Sequence, residues 1–434
     1  MHKKGKTVSF ADPPVITGHA GVAGSTAWRF TTRAAAPAAG TAHLIVAADG
    51  TGDFCTVQGA VDYVPAGNTT RRYINIRNGT YAEIVRVTGR HNLAFRGQHR
   101  RRTVIRYVNN SNLNASTNTR PLFNVVANDV SFDNLTLFNA TPQGGSQAEA
   151  LRVNGARCVV NNADLHSYQD TFLVNSAGDS AFFVNSLVEG SVDFIWGTGR
   201  AVFQRCEIKS LANGYVCQMR NPAGQIGAVF LDCRFTRLPA VNNVVLARVD
   251  PNTYPASQVS LVDCTLDAHI TAAGWLLNAA GPVDALRFEE YHSTTPAGGA
   301  IDVSGRAAFS RQIDAPTATA LRNTWLEHGV LVFRGIGTSP EVQLELSRCF
   351  GELEPHPIAQ FRLEGYPELI LLTNEGGPVG PVYDYDGVAT TQRIPWHTDL
   401  AFVPTPNAGA LLRMVRKVAT GGQTGWLDTA AAYD

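Results

Sequence analysis

The sequence lacks any run of the roughly 18 apolar residues that a membrane span needs, so no membrane association is expected. An excess of charge is also missing. Its 36 basic residues balance 36 acidic ones, and charged residues make up only 17% of the chain, which gives no electrostatic reason to expect a nucleic-acid partner. Arg100-Arg101-Arg102 is too short to change that and reads as a solvated turn. Methionine (3) and lysine are scarce while glycine (40) and asparagine are plentiful, a balance that favours turn-rich β structure over helical bundles. No cysteine lies in a CxxC pair, which argues against a zinc site. Seven cysteines cannot all pair within one chain. Several sit inside apolar β runs, such as Val202 to Cys206, where a free thiol acts as a small apolar residue. No signal peptide is visible: the basic start Met1 to Lys6 is followed by Val8-Ser9-Phe10-Ala11-Asp12-Pro13-Pro14, broken by acid and proline before an apolar core forms.

What is present is a repeat. After a lead-in over residues 1–41 that ends in an Ala/Pro-rich stretch, short β-patterned segments recur, most of them closed by Asn, Asp or Gly. Val130 to Leu135, Val159 to Ala163, Phe182 to Ser186, Val202 to Cys206, Val229 to Cys233 and Ser260 to Cys264 form the series. Steps between equivalent positions run from 20 to 31 residues, as from Ser186 to Cys206 and from Cys233 to Cys264. One short strand per such period, without long amphipathic helices, predicts a mainly β solenoid of the parallel β-helix type. A twisted sandwich is the alternative, but its hairpin signals are few: Asp49-Gly50, Asn78-Gly79, Asn154-Gly155 and Asn213-Gly214.

Beyond Phe309 the texture changes. Ala315 to Leu321 leads into a capped-helix pattern at Trp325 to Gly329, and Val330 to Gly335 reads as a strand. Ser339-Pro340-Glu341 opens a further helix running to about Phe350, with serine as N-cap and proline in the first turn. Three parts are expected: 1–41 as extension or linker, 42–309 as the solenoid, and 310–434 as a second domain.

Within the solenoid one set of residues points to chemistry. Gln147 lies 22 residues before Gln169, and Asp170 lies 23 before Asp193, which in a coil of that period stacks them on successive rungs. Rungs are about 4.7–4.9 Å apart. Two carboxylates that close cannot easily both ionise, and one becomes a general acid near neutral pH. Arg248 is the candidate cation that keeps Asp193 charged, and the amides of Gln147 and Gln169 are neutral donors suited to an oxyanion. Carboxylate nucleophile, carboxylic acid, oxyanion donors and orienting arginine together describe acyl transfer. A retaining glycosidase also uses two carboxylates about 5–5.5 Å apart, but it has no specific need of the paired glutamines.

Those segments resemble the pectin methylesterase (pectinesterase) family. Gly79-Thr80-Tyr81-Ala82-Glu83 is similar to its GxYxE segment, and Gln147-Ala148-Glu149-Ala150-Leu151, Gln169-Asp170-Thr171-Phe172 and Asp193-Phe194-Ile195-Trp196-Gly197 follow its QAxAL, QDTL and DFxxG motifs in order. Ala273-Gly274-Trp275 and Glu290-Tyr291 add further landmarks over about 270 residues. The resemblance implies a right-handed parallel β-helix and an extracellular enzyme. It implies a methyl ester of polygalacturonate (pectin) as substrate, no cofactor, Asp193 as nucleophile and Asp170 as acid and base. One segment departs: the family's LGRPW reads Leu246-Ala247-Arg248-Val249-Asp250, so an aspartate stands where a cleft tryptophan is expected. Trp196, Tyr168, Phe172 and Tyr215 are the candidates for a replacement aromatic surface, and a substrate less charged than pectin is an open alternative. A sugar-binding scaffold without turnover is another.

The C-terminal part carries Trp396-His397-Thr398-Asp399, an HxD pair that is half of a two-His-one-carboxylate iron site. Together with Leu326 to Gly335, Phe350 to Leu353 and Gly421 to Trp426 it resembles the taurine dioxygenase family, whose double-stranded β-helix uses Fe(II) and 2-oxoglutarate. That likeness implies His397 and Asp399 as iron ligands and Thr424 as a co-substrate contact. No histidine follows His397, so the site is expected to be incomplete and this part to be a partial α/β segment, a dioxygenase fragment.

Overall fold

Each turn of the chain contributes short strands that find no partner within their own turn and stack on the turns before and after. The computed structural model describes residues 36–323, 339–348, 353–359, 362–370, 382–385, 388–391 and 412–413. Contacts divide the chain into Met1–Thr324 and Trp325–Asp434. In the first unit, eleven strands from His43–Val46 to Arg311–Gln312 form one all-parallel sheet. A second sheet has two columns, one starting at Gly79–Tyr81 and the other at Val85–Thr88. They merge in the long strand Leu187–Gly197, which pairs Asp164–His166 with its first half and Phe172–Val174 with its second. This is a parallel β-helix. Its strand pairs are parallel throughout, so the sandwich alternative, which needs hairpins, does not apply.

The repeated segments lie in strict register: Phe132 opposite Val160, then Phe183, Phe203, Phe230 and Leu261. These side chains point inward and stack. Phe183 and Phe203 are parallel at 4.7 Å between centroids, as are Phe203 and Phe230. The polar residue closing each segment has a positive φ, at Asn134, Asn162, Asn185, Arg205, Asp232, Asp263 and His292. That left-handed conformation turns the coil from one sheet to the next, and Asn and Asp tolerate it best. Asn162 Nδ2 donates to Asn134 Oδ1 at 3.1 Å and receives a bond from Arg100 at 3.0 Å, so the corners form a polar ladder. Just inside it Cys206, Cys233 and Cys264 are buried and free, as are Cys158 and Cys217.

The N-terminal end of the coil is covered by the helix Val57–Tyr63, which buries Val57, Ala60 and Val61. Thr56 caps it, accepting from Gly59 N at 3.1 Å, and Glu83 accepts from the N–H groups of Val57 and Gln58, both at 2.8 Å. The landmark glutamate therefore anchors a helix N-terminus. In the C-terminal residues described, the expected helix appears as Pro340–Arg348, and Ser339 Oγ accepts from Val342 N at 3.4 Å. Ala315–Asn323 is helical in its own right rather than a lead-in. The expected helix at Trp325 to Gly329 and strand at Val330 to Gly335 lie outside the described residues.

Candidate active site

Asp193 sits where the long strand Leu187–Gly197 crosses from one column to the other, with irregular register on both sides of Val192. Asp170 lies one rung below: Gln169 bridges Val192, and Asp170 N donates to Val192 O at 3.1 Å. Both aspartates have positive φ, 65° and 46°. The corner thus turns their side chains out of the regular alternation. Gly197, at the far end of the same strand, packs against the backbone of Val174. Its φ is +133°, and a Cβ there would stand 1.9 Å from the Val174 carbonyl oxygen.

Arg248, in the strand Val244–Val249, grips Asp193 with two bonds, Nε to Oδ1 at 2.9 Å and Nη2 to Oδ2 at 2.5 Å. Its guanidinium lies 4.1 Å over the Tyr215 ring, which limits its freedom. Asp170 has a different environment. Burial, the neighbouring Glu149 and the Asp193 charge push its carboxyl up to about 8, against the pull of Arg120 and Arg220. Asp170 is therefore mostly protonated at neutral pH. Arg120 Nη2 donates to Asp170 Oδ2 at 3.0 Å. Both carboxyl groups are buried, but one is gripped by a two-pronged arginine while the other, with Glu149 and Asp193 as neighbours, holds its proton.

Gln147 and Gln169 are both half-buried at this corner. Ser111 Oγ donates to Gln147 Oε1 at 2.7 Å, which turns the amide N–H group of Gln147 away from Ser111. Ala148 N donates to the Gln169 carbonyl at 3.1 Å and so keeps the two glutamine-bearing rungs in step. A pocket of about 250 Å³ runs beside them, lined among others by Ser146, Tyr168, Gln169 and Ser191.

The aromatic expectations divide. Tyr168 lines that pocket. Tyr215 faces Arg248. Trp196 is largely buried, with its ring 4.8 Å from the Arg220 guanidinium and 5.8 Å from that of Arg120. Phe172 does not belong to the cleft. It is fully buried inside the coil, edge-on to Phe183 at 4.6 Å, because its strand position points inward. Asp250 keeps its charge within a tight turn. It accepts from Asn252 N, Asn252 Nδ2 and Thr253 Oγ1 at 3.0–3.2 Å, bonds that hold its carboxyl below the usual range. Its turn carries Tyr254 back so that Arg220 is stacked between Trp196 and Tyr254. Arg120, Glu149, Arg220 and Tyr254 were not expected. Glu149 had a signal, a lone charge in the apolar run Ala148-Glu149-Ala150-Leu151 that has to find a partner. Arg120, Arg220 and Tyr254 come from segments with no such mark.

A family model described as Pectinesterase matches residues 43–320. The chain belongs to the pectinesterase family. Pectinesterase 31 of Arabidopsis thaliana is 32% identical over 243 residues, covering 53% of this chain and 75% of that protein. Pectinesterase 1 of Citrus sinensis is 40% identical over 169 residues, 39% of this chain but only 29% of that protein. The pectin methylesterase from carrot superposes with a TM-score of 0.59 at 26% identity, covering 67% of this chain and 92% of that one. A second family model, described as taurine catabolism dioxygenase TauD, TfdA family, matches residues 293–434. His397, Asp399 and Thr424 lie outside the described residues, and among the described residues no group of three or more His, Cys, Asp or Glu side chains is placed to hold a metal ion.

Proposed function

We propose that this pectinesterase hydrolyses methyl esters of polygalacturonate through an acyl-enzyme on Asp193. The observation that carries the reading is the unequal pair of aspartates, one fixed by Arg248 and the other protonated in a buried corner. Asp193 Oδ attacks the ester carbonyl, and the Gln147 and Gln169 amides stabilise the oxyanion that forms. Collapse expels methoxide, which takes the proton of Asp170 and leaves as methanol. Asp170, now a carboxylate, removes a proton from water, and the hydroxide attacks the acyl carbon. Asp193 departs as a carboxylate, so ester and water become acid and methanol and both aspartates return to their starting states. Every group needed is a side chain, so no cofactor enters the proposal. The partner is a methyl-esterified polysaccharide, with Tyr168 and the Trp196–Arg220–Tyr254 stack as its aromatic contacts.

The domain division is proposed as 1–41, 42–309 and 310–434. The dioxygenase family match favours a second reading for the last part, with Fe(II) and 2-oxoglutarate as its reagents and His397, Asp399 and Thr424 as the residues concerned. The esterase mechanism is tested by quenching the enzyme during turnover of methylated oligogalacturonate and mapping the adduct by mass spectrometry. An acyl mass on the peptide containing Asp193 is expected. Steady methanol release with no adduct there, even after rapid acid quenching, would contradict it.

A further inference from the structure

Arg120 and Glu149 have no role in the mechanism above, yet they form the most deeply buried ion pair beside it. Arg120 Nε donates to the two Glu149 oxygens at 3.0 and 2.9 Å, and Nη2 donates to Oε1 at 2.6 Å. The same Nη2 reaches Asp170 Oδ2 at 3.0 Å. Side-chain exposure is 8% for Arg120, 0% for Glu149 and 9% for Asp170, so water screens none of these charges effectively. Arg120 enters from a turn in which its N–H donates to Ser116 O at 2.9 Å, so the guanidinium is delivered from outside the rung it serves.

We propose that Arg120 and Glu149 are positioning residues, a charge-balanced clamp that orients Asp170 and leaves its proton on the oxygen available to the substrate. The inference rests on the reading of Asp170 as general acid. A guanidinium has donors only, so Oδ2 accepts from it, and because the carbonyl oxygen of an acid is the better acceptor this contact favours the proton on Oδ1. An arginine that close would by itself strip the proton from the acid. Glu149 prevents this by matching the Arg120 charge, so that orientation is obtained without ionisation. Other charges face Asp170 too: Asp193 from the rung above, Arg248 clasping Asp193, and Arg220 stacked on Trp196. Arg248 is matched by Asp193 as Arg120 is by Glu149, so the balance at Asp170 depends on both pairs.

The test uses the full chain and two readouts: kcat for methanol release across about pH 5 to 9, and the ¹³C carboxyl titration of Asp170, which needs no turnover. Glu149→Gln leaves the Arg120 charge uncancelled. The alkaline limb of kcat and the Asp170 midpoint are both expected to move down by about one pH unit or more, with KM at the acidic end unchanged. Arg120→Lys keeps the charge but loses the fork. It is expected to hold the midpoint within about half a unit while kcat falls at every pH. A Glu149→Gln enzyme with lowered activity but both midpoints in place would overturn the proposal, as it would show a structural role only. If that variant does not fold, Arg120→Lys decides alone, and a midpoint displaced by about a unit or more would overturn it. If the intact chain releases no methanol, the esterase reading fails by itself, and the carboxyl titration still decides whether the clamp sets the proton.

Discussion

Asp170 shows how one residue's surroundings set its chemistry. Its carboxyl is raised to about 8 chiefly by burial and then by Glu149, whereas in the unfolded chain it returns to about 3.9. A group raised in this way contributes its stability in full below the unfolded value, and loses that contribution as pH climbs through the folded value. The folded protein is therefore penalised at neutral pH for keeping the acid ready. Asp170→Asn removes the titration and suits the same left-handed backbone. Its stability gain over the native chain is expected to grow between about pH 5 and pH 7.5 at up to about 1.4 kcal/mol per unit, measured by denaturant unfolding at both values. A gain equal at the two pH values would contradict the buried, protonated acid. Phe172 gives the opposite lesson at this scale. Beside a catalytic motif it resembled a cleft aromatic, but strand alternation points it inward.

At the scale of elements, the coil is held by identical positions stacked rung on rung. Phe203 lies between Phe183 and Phe230 and is fully buried, so Phe203→Ala removes contacts on both sides and leaves a cavity. A loss of about 3–5 kcal/mol is expected, measured by denaturant unfolding. A loss under about 1 kcal/mol would mean that the stack contributes little. This regularity explains why so much of the fold was legible in the sequence. The strand spacing, the Asn or Asp at most corners and the inward Phe, Val and Leu all repeat, and the stacked register follows from them. The aspartates were legible because their spacing matches the repeat, and Arg248 through the likeness of Leu246-Ala247-Arg248 to a family segment. Arg120, Tyr254 and Arg220 were not, because they arrive from irregular turns such as Asp250 to Tyr254, where no period carries information. The HxD pair stands apart, since His397 and Asp399 lie outside the described residues.

At the scale of the whole molecule, a parallel coil presents an irregular corner where successive rungs bring Asp170, Asp193 and Glu149, two glutamine amides and three arginines together. The two columns of the second sheet meet at that corner, and the bend in Leu187–Gly197 turns Asp193 outward there. We propose that this corner hydrolyses a methyl ester with Asp193 as nucleophile. This is tested most directly by measuring methanol released from highly methylated pectin by the intact chain and by Asp193→Ala. Release by the intact chain is expected, with a loss on the order of 10³-fold or more in the variant and folding unchanged. Release that survives in Asp193→Ala, or none from a folded intact chain, would contradict it.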